Sequence, residues 1–460
     1  MFITYDIRDR IADFECEEYQ FVENNTCIAF FDGQPSNLLE SFLSEANSDI
    51  DWMEAFIGPF VLVVYYKITG RIHIVQHYFG NGKNLYFCRN EEKIVLASSL
   101  NSIKKVTSMC FRLNVPMLPY YFYNGFLPGT HTLIDGVQKL ETGTTVIIDG
   151  NLIRKDKMSF SDKYTDSVSC GLDEAYAAAL EKSILDVTRD IIEPFPIALS
   201  AGYDSNCILY NIIRLLPDQP INAFSVGGVN GVDETGTAAR IARCYQSVSF
   251  RSAFVSPETL DHLDEIVSAL EGSVYERGIF LQYELASLLK ATAIKHLICG
   301  ECAEQVFHKN TYSYVPDNTF LYGYLDTPFQ MAVYVVLKKN RMIMDSFGIE
   351  TRYPFLTPRM IEIGYKTRHM NGNTKEFHKA QCKKFLPLEV VGLIAKQGGS
   401  TNLASLFPEG FDCSAELEKR KFYSADFKLT GKYDHQEAIR DYYLSLLYLE
   451  SFEKQFCDKY

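Results

Sequence analysis

Pro196-Ile197-Ala198-Leu199-Ser200-Ala201-Gly202-Tyr203-Asp204-Ser205-Asn206-Cys207-Ile208-Leu209-Tyr210 is the stretch on which the fold turns. An apolar β-type run, Ile197 to Leu199, ends in three small residues, Ser200-Ala201-Gly202. An acid and a hydroxyl follow, Asp204 and Ser205, and then a helix-like apolar pattern at Ile208, Leu209 and Ile212. A strand, a tight turn and a helix start in that order can form an anion site. Backbone N–H groups and the helix dipole point at a phosphate, and small residues let the backbone come close. Asp204 is no direct phosphate ligand, because two anions repel; it makes sense with a divalent cation between them. A plain strand-to-helix turn capped by Ser or Asp accounts for the same residues.

Outward from this turn, the chain reads as alternating helices and short apolar strands. Asp173–Ile191 reads as a helix, and Ile197–Leu199, Asn222–Val226, Ser247–Phe254 and His296–Cys299 read as parallel strands with helices between them. That alternation predicts an α/β doubly wound parallel sheet, with its ligand site at the carboxyl ends of the strands. The Ser200–Ser205 turn and the Gly300–Glu304 segment both stand at such ends. The first 160 residues differ: Cys27–Phe31, Phe60–Tyr66, Arg71–Gln76, Leu85–Cys88, Ile94–Ala97 and Thr144–Ile148 are β runs punctuated by Gly, Asn and Asp turns. They predict antiparallel sheets packed face to face with a few helices, such as Asn37–Ala46. The polar stretch Ser159–Ser167 reads as a linker, so the domains are expected at 1–160 and 170–460.

The bulk numbers exclude several classes. The chain has 460 residues, 47% hydrophobic, enough for two or three domains with substantial cores. A net charge of −13 argues against a nucleic-acid partner, since phosphate tracking needs a basic surface. No apolar run is long enough for a membrane span, and the N-terminus has no signal-peptide pattern. Twelve cysteines without repeated spacing fit reduced thiols of a cytoplasmic protein better than a disulfide framework. Cys299 and Cys302 form a C-x-x-C, but no second ligand pair lies nearby for zinc.

Three further segments follow in order. They are Gly300-Glu301-Cys302-Ala303-Glu304-Gln305, then Gly348-Ile349-Glu350-Thr351-Arg352-Tyr353-Pro354-Phe355-Leu356, then Ala395-Lys396-Gln397-Gly398-Gly399. With Ser200–Ser205, the region Leu172–Leu403 resembles the asparagine synthetase family. That family carries an S-G-G-x-D-S pyrophosphate loop, a G-E-G-x-D-E loop, a G-x-E-x-R-x-P-F-L segment and a late Gly-rich loop with a Lys. In the first 160 residues, Glu54–Val63, Tyr78-Phe79-Gly80, Val95–Ser99 and Gly136–Gly143 resemble its glutaminase domain. The resemblance implies an α+β sandwich of the Ntn-hydrolase type, αββα, ahead of the synthetase domain. The family's glutaminase uses a cysteine directly after the initiator Met. Phe2 stands there, so the domain is expected to be a scaffold without glutaminase activity.

The resemblance implies adenylation of a carboxylate by ATP with Mg²⁺, pyrophosphate release, and attack by ammonia or an amine. It places Leu199, Ser200, Gly202, Asp204, Ser205, Val226 and Gly300 at the nucleotide. Asp204 and Glu304 become the expected metal ligands, and Glu301 and Lys396 the expected catalytic pair. Glu301 would handle the amine's proton, and Lys396 would stabilise the departing pyrophosphate. Glu350 and Arg352 are expected as a buried pair that positions the site. The expected partners are a small-molecule or peptide carboxylate and an ammonia or amine donor. Ala201, Glu304 and Gln305 depart from the family pattern. They keep open a non-catalytic nucleotide-binding protein, and an intramolecular cyclase stands beside it.

Overall fold

Burial alternates along β1 (Phe2–Asp6), with Ile3 and Tyr5 fully buried and their neighbours less so. This is the period of a strand with one face on a core. The computed structural model describes residues 1–15, 20–33, 58–107, 109–157, 171–228, 234–308, 332–367, 375–394, 403–419 and 435–458. Asn37–Ala46, Glu54–Ile57, the Ser159–Ser167 stretch and Lys396 lie outside the described residues.

Two antiparallel sheets make up the N-terminal part. The first combines β1 with β2 (Ala12–Glu15), β7 (Tyr86–Arg89), β8 (Lys93–Ala97) and β9 (Gln138–Lys139), in the order β2-β1-β8-β7-β9. The second combines β3 (Gln20–Glu23), β4 (Cys27–Gly33), β5 (Phe60–Tyr66), β6 (Arg71–Gln76), β10 (Thr144–Asp149) and β11 (Leu152–Lys157), in the order β11-β10-β6-β5-β4-β3. Ile3, Tyr5 and Leu96 of the first meet Val61, Val63 and Ile74 of the second in one core. The helix α1 (Leu100–Val106) packs on the first sheet, started by the Ser99 side chain, which accepts the Ser102 N–H.

The remainder is built on five parallel strands. These are β12 (Phe195–Ala198), β13 (Ile221–Gly228), β14 (Val248–Val255), β15 (His296–Ile298) and β16 (Glu350–Arg352), in the order β14-β13-β12-β15-β16. The helix α2 (Leu172–Thr188) precedes the sheet, α3 (Tyr203–Leu215) follows β12, and α4 (Thr235–Ala242) follows β13. The helix α5 (Gly278–Ala291) leads into β15, and the short α6 (Ala303–Phe307) follows it. Beyond them come α7 (Leu337–Ser346), α8 (Pro358–Thr367), α9 (Glu376–Phe385) and α10 (His435–Phe456). The expected helix to Ile191 stops at Thr188, whose hydroxyl donates back to the Ile184 carbonyl at 2.7 Å. The strand order runs outward in both directions from the β12–β15 pair. A crevice opens where such an order reverses, at the carboxyl ends.

Buried charges join the two parts. Asp32 of β4 accepts from Arg341 at 3.0 Å and pairs with Lys83 at 3.2 Å, while Asp345 pairs with the same two cations. Burial alone would push the Asp32 carboxyl up, but Arg341 and Lys83 hold it below its ordinary value. These groups line a cavity of about 460 Å³. Among the described residues, no helix is long and apolar enough to cross a membrane.

Candidate active site

Residues 200–205 join the carboxyl end of β12 to the start of α3, and the turn is tied together by its own side chains. The Ser200 N–H donates to Ser205 Oγ at 3.1 Å, and the Gly202 N–H donates to Ser200 Oγ at 3.1 Å. The Asn206 amide donates to the carbonyls of Ser200 at 3.0 Å and Gly202 at 2.7 Å. Leu199 is buried, and its N–H donates to the Phe224 carbonyl at 2.8 Å, holding the turn against β13. Ala201, where the resembling family has Gly, is not among the residues of positive φ, so its methyl group brings no backbone strain.

Gly300 ends β15 directly beside this turn. A Cβ on it would lie 3.1 Å from the Ser205 nitrogen and 3.3 Å from the Asp204 carbonyl carbon. The structure therefore brings Ser200, Gly202, Asp204, Ser205 and Gly300 together at the reversal of strand order. Cys302, two residues on, has φ +68°, a left-handed conformation that favours glycine. It stands where the family's loop has Gly. Cys299 and Cys302 are buried free thiols, and burial pushes both well above the ordinary thiol range. A reactive dithiol needs the opposite environment.

The Asp204 carboxylate is not left open to the turn. Lys375 Nζ donates to it at 2.8 and 3.1 Å, and His378 Nε2 lies 2.9 Å from Oδ1. The Tyr176 hydroxyl lies 2.9 Å from the other ring nitrogen of His378. Burial would raise the Asp204 carboxyl, but the His378 hydrogen bond and the Lys375 charge hold it well below the usual carboxylate range. Burial would likewise lower His378, yet the Cys382 sulfur and the Asp204 carboxylate outweigh it and lift the imidazole to about 9. The ring is therefore an imidazolium at neutral pH.

Other expected site residues spread around this core. Glu301 is half-buried, and its N–H donates to Cys299 Sγ at 3.4 Å. Val226 lies half-buried in β13, two strands from β15. Glu304 is exposed on α6. Among the described residues, no group of three or more His, Cys, Asp or Glu side chains is arranged to hold a metal ion. Of the expected Asp204 and Glu304 metal pair, Asp204 is held by Lys375 and His378, and Glu304 is exposed. Arg352, 2% exposed, binds Asp190 through two hydrogen bonds of 3.0 and 3.2 Å and pairs with Glu350 at 2.9 Å. Its carbonyl accepts the Cys299 N–H at 3.0 Å. That backbone bond continues the pairing of β15 with β16 just below Gly300.

Four residues of this arrangement escaped sequence reasoning: Lys375, His378, Tyr176 and Glu234. Their only local mark is the i, i+4 spacing of His378 and Cys382 on α9. Glu234 Oε2 accepts the Ala201 N–H at 3.3 Å.

Comparison with known families matches residues 175–321 to the asparagine synthase domain and residues 42–160 to the glutamine amidotransferase domain. No curated protein matches the chain in sequence. Among solved structures, a U34-tRNA thiolase from Methanococcus maripaludis shares 14% identity over 65% of this chain and 86% of its own, with a TM-score of 0.28. An NMN synthetase from Francisella tularensis shares 11% identity over 47% of this chain and 94% of its own, at 0.24. A glutamine-dependent NAD⁺ synthetase from Acinetobacter baumannii shares 12% identity over 79% of this chain and 67% of its own, at 0.23. Likeness at these scores carries no weight for function. The two matches show an asparagine synthase domain with an amidotransferase-type domain ahead of it.

Proposed function

We propose that this chain, with its asparagine synthase domain, is an ATP-dependent carbon–nitrogen ligase that adenylates a carboxylate and passes the acyl group to ammonia or an amine. The observation that carries this is the Ser200–Ser205 turn at the reversal of strand order, packed against Gly300 inside the asparagine synthase domain. In the first step a carboxylate oxygen attacks the α-phosphorus, the bond to the β-phosphate oxygen breaks, and pyrophosphate leaves. In the second, the amine nitrogen attacks the acyl carbon, and AMP leaves with the bonding electron pair.

The chain's own residues have distinct parts in this reading. Ser200 and Ser205 present hydroxyls to the pyrophosphate, and the N-terminus of α3 adds its dipole. Lys375 is a cation at the same turn, bound to the Asp204 carboxylate at 2.8 Å. Glu301 stands one residue past Gly300 and takes the proton that the amine must lose. Lys396 adds positive charge for the departing pyrophosphate. Magnesium would enter with the ATP phosphates, and Asp204 and Glu304 are the side chains proposed to hold it.

The nitrogen arrives as ammonia or an amine, not from glutamine cleaved by this chain. Phe2 stands at the nucleophile's place at the start of β1, and the Met1 amino group donates to Ser98 Oγ at 2.9 Å. The buried free thiols support a cytoplasmic protein.

A pyrophosphate-release assay with ATP, ammonium and a panel of carboxylates tests the reading. Carboxylate-dependent release together with a product that gains nitrogen supports it. A product one water lighter than the substrate, with no added nitrogen, identifies ring closure instead. ATP binding with no release across the panel identifies a non-catalytic nucleotide binder.

A further inference from the structure

Three successive backbone donors at the end of β12 are each engaged, and the three acceptors differ in kind. Ser200 N–H and Gly202 N–H donate to hydroxyls, those of Ser205 and Ser200. A hydroxyl can stay in place and turn its own proton toward a phosphate oxygen. The middle donor, Ala201 N–H, donates instead to a carboxylate, Glu234 Oε2. Glu234 comes from outside the turn: it is the residue that opens α4, 33 positions further along the chain. Ala201 is fully buried, so water cannot serve its N–H and the carboxylate supplies the acceptor that a buried amide requires.

A carboxylate has no proton to offer a phosphate oxygen and repels it. An amide in such a turn is the donor that an incoming pyrophosphate would use. Both anions cannot share it. Glu234 is half-buried at the helix start, so a side-chain rotation withdraws the carboxylate and leaves α4 intact.

We propose that Glu234 is a built-in competitor for the pyrophosphate group of ATP: its carboxylate caps the Ala201 amide and swings away when phosphates enter. The residue thereby weakens the hold on ATP and on product pyrophosphate alike, and its return to the amide favours pyrophosphate release. The inference rests on the turn being the ATP site.

The test measures binding of ATP, and separately of inorganic pyrophosphate, to the full chain by calorimetry, each with and without Mg²⁺. Glu234→Gln keeps the shape and an acceptor but removes the charge, and Glu234→Ala removes both. Both variants should bind ATP and pyrophosphate at least about tenfold tighter, about 1.4 kcal/mol, and pyrophosphate should become a stronger product inhibitor. Unchanged or weaker binding in both variants, with melting temperatures equal to the native chain, overturns the competitor role. Weaker binding confined to Mg²⁺ makes Glu234 a cation ligand and also overturns it. A native chain that binds neither ATP nor pyrophosphate overturns the ATP-site reading itself, whereas native binding without tightening in the variants removes the competitor alone.

Discussion

The Lys375 ammonium lies 2.8 Å from the Asp204 carboxylate, although 171 residues separate the two in the chain. Asp204 begins α3 beneath the phosphate-type turn, and Lys375 precedes α9. His378, one turn into α9, closes on the same carboxylate, and Tyr176 of α2 closes on His378. Three helices are thus fastened to the turn by one acid. Removal of that acid leaves two cationic side chains buried without their partner, which is more damaging than the net value of the ion pair suggests.

Asp204→Ala should therefore destabilise the chain by about 3–5 kcal/mol and abolish carboxylate-dependent pyrophosphate release. Urea unfolding midpoints measure the first effect. A variant as stable as the native chain would show that Lys375 and His378 find other partners.

The His378 pairing gives stability a pH signature. Its folded value of about 9 lies above the ordinary 6.5, so the folded state holds the proton more tightly. The contribution is complete below pH 6.5 and disappears as pH rises through 9. Native stability minus that of His378→Gln should accordingly shrink between pH 6.5 and 9, as read by denaturation at each pH.

Lys139 behaves in the opposite sense. Burial lowers its ammonium to about 7, where Nζ donates to the Leu127 carbonyl and stands 5.3 Å from the centre of the Tyr334 ring. The folded chain therefore resists protonation, and the penalty is full below pH 7 and absent above the ordinary value of 10.5. Lys139→Met should gain stability relative to the native chain below pH 7, and the gain should decline toward pH 10. Parallel thermal melts at pH 6 and pH 9.5 decide it.

Gly300→Ala tests the approach of the β15 loop to the turn. The added methyl group meets the backbone of Asp204 and Ser205 at 3.1–3.3 Å, where no flexible side chain can give way. The turn must shift by a few tenths of an ångström. A rise of about tenfold or more in KM for ATP is expected, with a loss of about 1 kcal/mol in stability. An unchanged KM would separate Gly300 from nucleotide binding.

Much of the architecture was legible in the residues. Phe60–Tyr66 and Arg71–Gln76 form strands with the expected bounds, because a run of β-branched and aromatic residues closed by a turn permits little else. The parallel strands at β12, β13, β14 and β15 fall within a residue or two of expectation. The surroundings of Asp204 and Glu304 were not legible. Asp204 and Glu304 both sit at strand ends, but sequence position does not reveal that α9 brings a lysine and a histidine to the first while the second faces solvent. Lys375 and Glu234 carry no local pattern, since a lone charged residue at a helix start reads as an ordinary cap.

The sequence by itself determined the alternation of strands and helices and the place of the turn between them. Periodicity and small residues act locally, so a strand, its turn and the helix after it are set by the residues within them. Tertiary structure alone decided what the turn's charged groups touch. The Ala201 amide meets Glu234, and the Asp204 carboxylate meets Lys375 and His378, because packing α4 and α9 onto the parallel sheet brings distant side chains within hydrogen-bond range. Buried polar groups must then be satisfied by whatever neighbour the packing supplies, and no spacing along the chain encodes which neighbour that is.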